Sequence, residues 1–120
     1  MSAANQITIG REVTLDGVGV HSGMDATVTL RAAPADFGIR FRRTDLEDAP
    51  EIAASLENVA STELGTVLAA GDARVMTVEH LLAAAFAGGV DNLLVEITGP
   101  EVPIRDGSFR DFLDALDDAG

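Results

Sequence analysis

This chain has no cysteine and only two histidines, and its basic residues, eight in 120, are all arginine. Without cysteine there is no disulfide framework, and with so few histidines the usual three-ligand protein set of a catalytic zinc is hard to assemble. The missing lysine excludes a phosphate-loop lysine, a lysine Schiff base and a lysine general base. Genomic composition or a saline habitat accounts for the arginine bias without invoking function. Positive charge is scarce overall: 20 acidic residues bring the formal net charge to −12. That balance opposes attraction to nucleic acid and to anionic membrane surfaces, both of which need clustered Lys and Arg. Long apolar runs are absent too. The longest uncharged one, Leu81 to Val90, is too short to span a bilayer. Met1-Ser2-Ala3-Ala4-Asn5-Gln6 lacks the basic and apolar regions of a secretory signal. These absences lead to the expectation of a soluble, cytoplasmic protein with no nucleic-acid partner and no transmembrane segment.

What is present is a periodic chain. Hydrophobic residues make up 47% of it, enough for one compact domain over residues 1–120, with no repeat, low-complexity tract or interdomain linker. The first forty or so residues alternate with period two, the pattern of half-buried antiparallel strands. Ile7, Ile9, Val13 and Leu15 share one parity, and Met24, Ala26, Val28 and Leu30 another. Phe37, Ile39 and Phe41 line a third run, with Arg40 and Arg42 opposite. Asp16-Gly17-Val18-Gly19 and Pro34-Ala35-Asp36 supply the turns. Ile52 to Val59 reads as a short strand or loop, and Gly65 to Ala70 with Ala73 to Met76 as a hairpin around Gly71-Asp72.

The period then becomes helical. Val78, Leu81, Leu82, Ala85 and Phe86 fall on one stripe, Thr77 is the expected N-cap, and Gly88-Gly89 the stop. Leu93 to Ile97 reads as a buried strand, and a second helix is expected from about Ser108, with Phe109, Phe112, Leu113 and Leu116 on one face. A mixed, mostly antiparallel sheet with two helices on one face is an α+β two-layer sandwich. Apolar helix surface left uncovered by such short strands would mark an association face, for a dimer or another partner.

Chemistry concentrates in Thr77-Val78-Glu79-His80-Leu81-Leu82-Ala83-Ala84. Glu79 and His80 put a proton carrier and a metal ligand on one helix's first turn, where the helix dipole and free backbone N–H groups favour a carboxylate anion. Adjacent side chains diverge by about 100° around a helix, so they flank a site from two directions, unlike the two ligands of H-E-x-x-H. The structural alternative is a first-turn carboxylate beside a partly buried histidine. His21 sits in Gly17-Val18-Gly19-Val20-His21-Ser22-Gly23, where the glycine spacing and the missing following helix exclude a dinucleotide site. A bulged hairpin loop or a pocket mouth lined by His21 or Ser22 remains. Asp106-Gly107-Ser108 reads as a turn plus N-cap, or as a group that orients the site. Arg40, Arg42 and Arg43 offer bidentate phosphate contacts, or form a solvated strand face that balances carboxylates.

Five blocks stand in order along the chain: Gly17 to Gly23, Arg42-Arg43-Thr44-Asp45-Leu46, Thr77 to Ala84, Asp91-Asn92, and Gly99-Pro100-Glu101-Val102-Pro103-Ile104-Arg105-Asp106-Gly107-Ser108. Together they resemble the N-terminal domain of the lipid A pathway's zinc deacetylase family, UDP-3-O-acyl-N-acetylglucosamine deacetylase. The resemblance implies a fold related to domain 2 of ribosomal protein S5, a Zn2+ cofactor, and removal of an acetyl group from a UDP-linked, acylated glucosamine. It implies that Glu79 is the general base, His80 a zinc ligand, and His21 and Asp106 supporting residues near the site. Ser61, Thr62, Leu64 and Gly65 match the segment bordering the substrate. Family enzymes have two such domains, and the second supplies the remaining zinc ligands. The resemblance therefore implies that this chain's site is completed by a second domain, a separate chain, or a second copy in a homodimer. A noncatalytic binding or assembly module, and a one-chain metal site from His21, His80 and Asp106, are the alternatives.

Overall fold

Alternating burial along short strands builds the main sheet. The computed structural model describes residues 7–19, 22–62, 66–71, 73–103 and 108–119. The elements are β1 (Val13–Val18), β2 (Asp25–Ala32), β3 (Ile39–Arg43), β4 (Glu51–Ala53), β5 (Val59–Ser61), β6 (Val67–Ala70), β7 (Ala73–Met76), α1 (Glu79–Ala87), β8 (Leu93–Ile97) and α2 (Ser108–Ala119). Five strands pair in the order β1-β2-β8-β3-β4, and β5-β6-β7 form a smaller sheet. Every pairing is antiparallel except β3 with β8.

Register places large apolar side chains in a row across the sheet. Leu30 and Phe41 both face Val95, and Ile52 faces Phe41; all four are fully buried. Leu81, Ala84 and Ala85 of α1, with Phe112, Ala115 and Leu116 of α2, join the same core. The opposite face is charged. There Arg31 pairs with Glu12 and Glu96, and Arg42 with Glu51 and Glu96. Exposed pairs of this kind add little stability, but they keep one face of the sheet in water. The result is the expected α+β two-layer sandwich.

Several local expectations are corrected. Ile7 does not extend the first strand, which starts at Val13. Ile7 N instead donates to Asp91 Oδ2 and its carbonyl accepts from Asp91 N, both at 2.8 Å. Asp16 to Val18 lie within β1 rather than in a turn, and Gly19 N donates to Met24 O at 2.9 Å just ahead of β2. The stretch Ile52 to Val59 resolves into β4, a 3-10 turn at Leu56–Asn58 and the start of β5. That turn, held by Asn58 Nδ2 on Ala53 O, leads the chain out of the main sheet, so β5 to β7 form a second sheet of their own. Phe86, placed by periodicity on the buried stripe, is 88% exposed. Small alanines at 84 and 85 let α1 turn that arc inward instead. In the second helix Phe112 and Leu116 are buried and Leu113 partly so, while the side chain of Phe109 lies outside the described residues.

Arg43 also departs from expectation. Arg40 and Arg42 lie on the charged face, whereas Arg43 points to the other side and is only 7% exposed. Its guanidinium donates to both carboxylate oxygens of Asp45 and to Arg74 O of β7, which joins the two sheets. The hydrogen bond from Arg43 holds the Asp45 carboxyl below its ordinary value of 3.8. A carboxyl depressed on folding stabilises the native state above its unfolded value, and that contribution is lost as pH falls through the folded value. The stability advantage of the parent over Asp45→Asn in urea unfolding should therefore hold near neutrality and shrink as pH drops below about 3.8.

Candidate active site

Glu79 opens α1, with Val78 as the N-cap residue and no side-chain capping hydrogen bond from it. The expected cap, Thr77, stands one residue outside and does not cap. Its φ of 61° lies in the left-handed region, which a β-branched residue adopts only under tertiary constraint. The constraint is a hydrogen bond: Thr77 Oγ1 donates to Glu101 Oε2 at 2.7 Å, with both residues buried. The first turn of α1 therefore starts from backbone geometry set by a distant carboxylate.

Glu79 is tied to the segment preceding β6. Its Oε1 accepts from Thr66 N at 3.0 Å, while Val78 N donates to Thr66 O at 3.3 Å. Thr66 follows directly on residues 61–65, the segment singled out as bordering a substrate. The acidic first turn of α1 thus shares a boundary with the connection between β5 and β6. Glu79 and His80 are both half-buried, open enough to meet a ligand and fixed enough to orient it.

The strand-like segment after β8 completes the junction. Met76 bridges Glu101 in parallel, with Met76 N donating to Pro100 O at 2.7 Å and Val102 N to Met76 O at 2.9 Å. Glu101 is 1% exposed, and its Oε1 accepts from Ser22 N at 2.7 Å. Gly19 and Ser22, the entry to α1 and the segment 100–103 therefore converge. Gly19 permits this, since a Cβ there would stand 2.4 Å from Glu101 Oε1.

Of the residues proposed from sequence, Glu79 stands beside Thr66, with His80 next to it in the first turn of α1. Thr62 is exposed at the end of β5. His21, Leu64, Gly65 and Asp106 lie outside the described residues, as does the side chain of Ser61. Other motif residues are structural. Asn92 Oδ1 accepts from Gly38 N and Asn92 O accepts from Thr8 Oγ1, pinning the N-terminal segment to the start of β3. Sequence reasoning missed Thr66 altogether, and the contact between Thr77 and Glu101. The available signal for Glu101 was a lone carboxylate in Pro100-Glu101-Val102-Pro103, an apolar setting in which a charge needs partners.

Among the described residues no three His, Asp or Glu side chains cluster as a metal-holding group. Zinc fits this donor set only as a half-site: His80 offers one ligand, and a four-coordinate catalytic zinc takes three protein ligands and a water.

Comparison with known proteins follows the same outline. A family model described as UDP-3-O-acyl N-acetylglycosamine deacetylase matches residues 6–120. The chain is 52% identical over 117 residues to the UDP-3-O-acyl-N-acetylglucosamine deacetylases of Brucella ovis and Brucella canis, and 51% identical to that of Brucella melitensis biotype 2. Each alignment takes in 98% of this chain but 41% of the relative, so the chain spans about two fifths of the length of the curated relatives it matches.

The Glu79 contact gives a stability prediction independent of catalysis. Glu79→Ala leaves Thr66 N without its acceptor and should cost about 1–2 kcal/mol in urea unfolding, whereas Glu79→Gln keeps an oxygen at the same place and should cost less than half as much.

Proposed function

The chain belongs to the UDP-3-O-acyl-N-acetylglucosamine deacetylase family, and we propose that it is the first-domain half of a zinc-dependent deacetylase site. In this reading the whole site removes the acetyl group from the nitrogen of a UDP-linked, acylated glucosamine in cytoplasmic lipid A synthesis. One observation carries it. Glu79 stands at the first position of α1, half-buried, its carboxylate steadied by Thr66 N and adjacent to the chain's one described histidine.

The reaction is amide hydrolysis: water adds to the acetyl carbonyl, the C–N bond breaks, and acetate and the sugar amine leave. Glu79 has the chemistry and position to take a proton from the attacking water and return one to the departing amine. One oxygen is held by Thr66 N, and the other accepts no hydrogen bond among the described residues, so it can face the reacting atoms. A bound zinc would polarise the acetyl carbonyl and make the water more acidic. His80 is this chain's ligand for it, and the other ligands come from a second domain, another chain or a second copy. Residues 1–120 would then be the equivalent of the first of two domains. The exposed ring of Phe86, next in sequence to Ala87 on the outer side of α1, supports an apolar association face for that second half.

Reconstituting the site tests the proposal. With the second half supplied, as a domain, a chain or a self-formed dimer, Glu79→Gln should lower kcat at least a hundredfold on a UDP-linked acylated N-acetylglucosamine while metal content stays the same. His80→Ala should lower metal content as well. Turnover unaffected by either change overturns the deacetylase reading and leaves a noncatalytic binding or assembly module. A zinc-free monomer by sedimentation, inactive until another domain is added, eliminates the homodimer version.

A further inference from the structure

Glu101 is the most deeply buried ionisable side chain described, at 1% exposure, and the proton transfers proposed above do not use it. Desolvating a carboxylate costs several kcal/mol, and well-packed apolar residues often serve stability equally well or better. Its presence therefore needs a reason other than core packing. The two oxygens reach different parts of the chain. Oε1 accepts from Ser22 N at 2.7 Å, and Oε2 accepts from Thr77 Oγ1 at 2.7 Å. Ser22 lies in the connection between β1 and β2; Thr77 is two residues before Glu79.

Both neighbouring backbones are shaped around this carboxylate. Gly19 leaves open the space that a Cβ would fill, 2.4 Å from Oε1 and 2.8 Å from the carboxyl carbon. Thr77 holds a φ of 61°, uncommon for a β-branched residue, and in that conformation its hydroxyl meets Oε2. A missing side chain on one partner and a strained backbone on the other mark a specific joint. The joint is rigid because Met76 N to Pro100 O and Val102 N to Met76 O fix the backbone on either side of Glu101.

We propose that Glu101 is a positioning residue: its carboxylate clamps the backbone at Ser22 to the turn that begins α1, so that Ser22 and the Glu79-His80 turn are held in one fixed arrangement toward the substrate. The segment at Ser22 then meets the substrate from a position already set by Glu101, and releasing that contact should raise KM more than it lowers kcat. This role rests on the deacetylase reading for its kinetic consequence, while the clamp itself is a property of the chain alone.

Thr77→Val removes the hydroxyl, keeps the shape and leaves one carboxylate oxygen without that donor; Thr77→Ser keeps the hydroxyl. In the 120-residue chain, Thr77→Val should make the Ser22 amide exchange about tenfold faster relative to the core amide of Leu30, and Thr77→Ser should restore it. Gly19→Ala, which pushes a methyl against Oε1, should do the same as Thr77→Val. In the reconstituted enzyme Thr77→Val should raise KM for the UDP-linked acylated sugar about tenfold, with kcat and zinc content changed less than threefold, and Thr77→Ser should again rescue it. A purely structural residue would behave differently: Ser22 and Leu30 exchange would accelerate together and KM would not move. Either outcome overturns the positioning role. Retention of turnover by Glu79→Gln overturns the deacetylase reading instead, and Ser22 exchange still decides the clamp.

Discussion

Parallel pairing between β3 and β8 governs where everything else can lie. Parallel neighbours cannot be joined by a tight turn, so the chain leaving β3 at Arg43 must travel back to the far end of the sheet before entering β8 at Leu93. β4, the small sheet and α1 make that journey. Because α1 delivers the chain to the start of β8, its own N-terminus lies at the opposite end, where β8 finishes. The connection between β1 and β2 arrives there as well, since β2 runs antiparallel to β8 and Thr27 N bonds to Thr98 Oγ1. One topological requirement thus collects Gly19, Ser22, Thr66, Thr77, Glu79 and the segment 100–103 at one end of the molecule.

Collection alone does not give a usable geometry, because connections between elements carry backbone groups that need partners and side chains that need direction. Here the joints are few and specific. Thr66 bonds to the start of α1 through both its N–H and its carbonyl, while Glu101 takes a donor from each side. Arg43 does comparable work farther along β3, crossing to Arg74 O so that the small sheet is held to the large one. Buried polar side chains therefore join the parts that apolar packing leaves free to slide, and apolar packing supplies the bulk of the cohesion.

Much of this was visible in the residue pattern, and what was not has a common cause. Period-two burial in β2 and β8 and the apolar positions Phe112 and Leu116 of α2 are local consequences of one buried face, which is why they could be read directly. Phe86 was misplaced because a helix rich in alanine has a weak stripe, and the packing partner, rather than the sequence, decides which arc turns inward. Thr77 has the composition of an N-cap but gives its hydroxyl to Glu101, 24 residues away. Arg43 resembles its half-buried neighbours at 40 and 42 in the sequence, and strand register puts it on the other side. Glu79 and His80 stand out in the sequence because they are adjacent at a helix start, whereas the contacts that fix this turn come from two distant segments, Thr66 and Glu101.

The diverted threonine bears on how α1 performs as a platform. A nine-residue helix is too short to be stable on its own, so its first turn exists because tertiary contacts hold it. A conventional side-chain cap from Thr77 would have occupied first-turn N–H groups and left the entry to α1 unconnected to the loop across from it. Sending that hydroxyl to Glu101 gives up a contribution to helix stability of about 1 kcal/mol. In exchange, the entry to the helix is fixed to a second segment, with its first-turn N–H groups free of any cap from Val78. In the proposed site Glu79 would act from a backbone anchored on both sides, by Thr66 and by Glu101 through Thr77. A proton carrier that must meet a substrate atom within hydrogen-bonding reach depends on that anchoring more than on the helix's own stability.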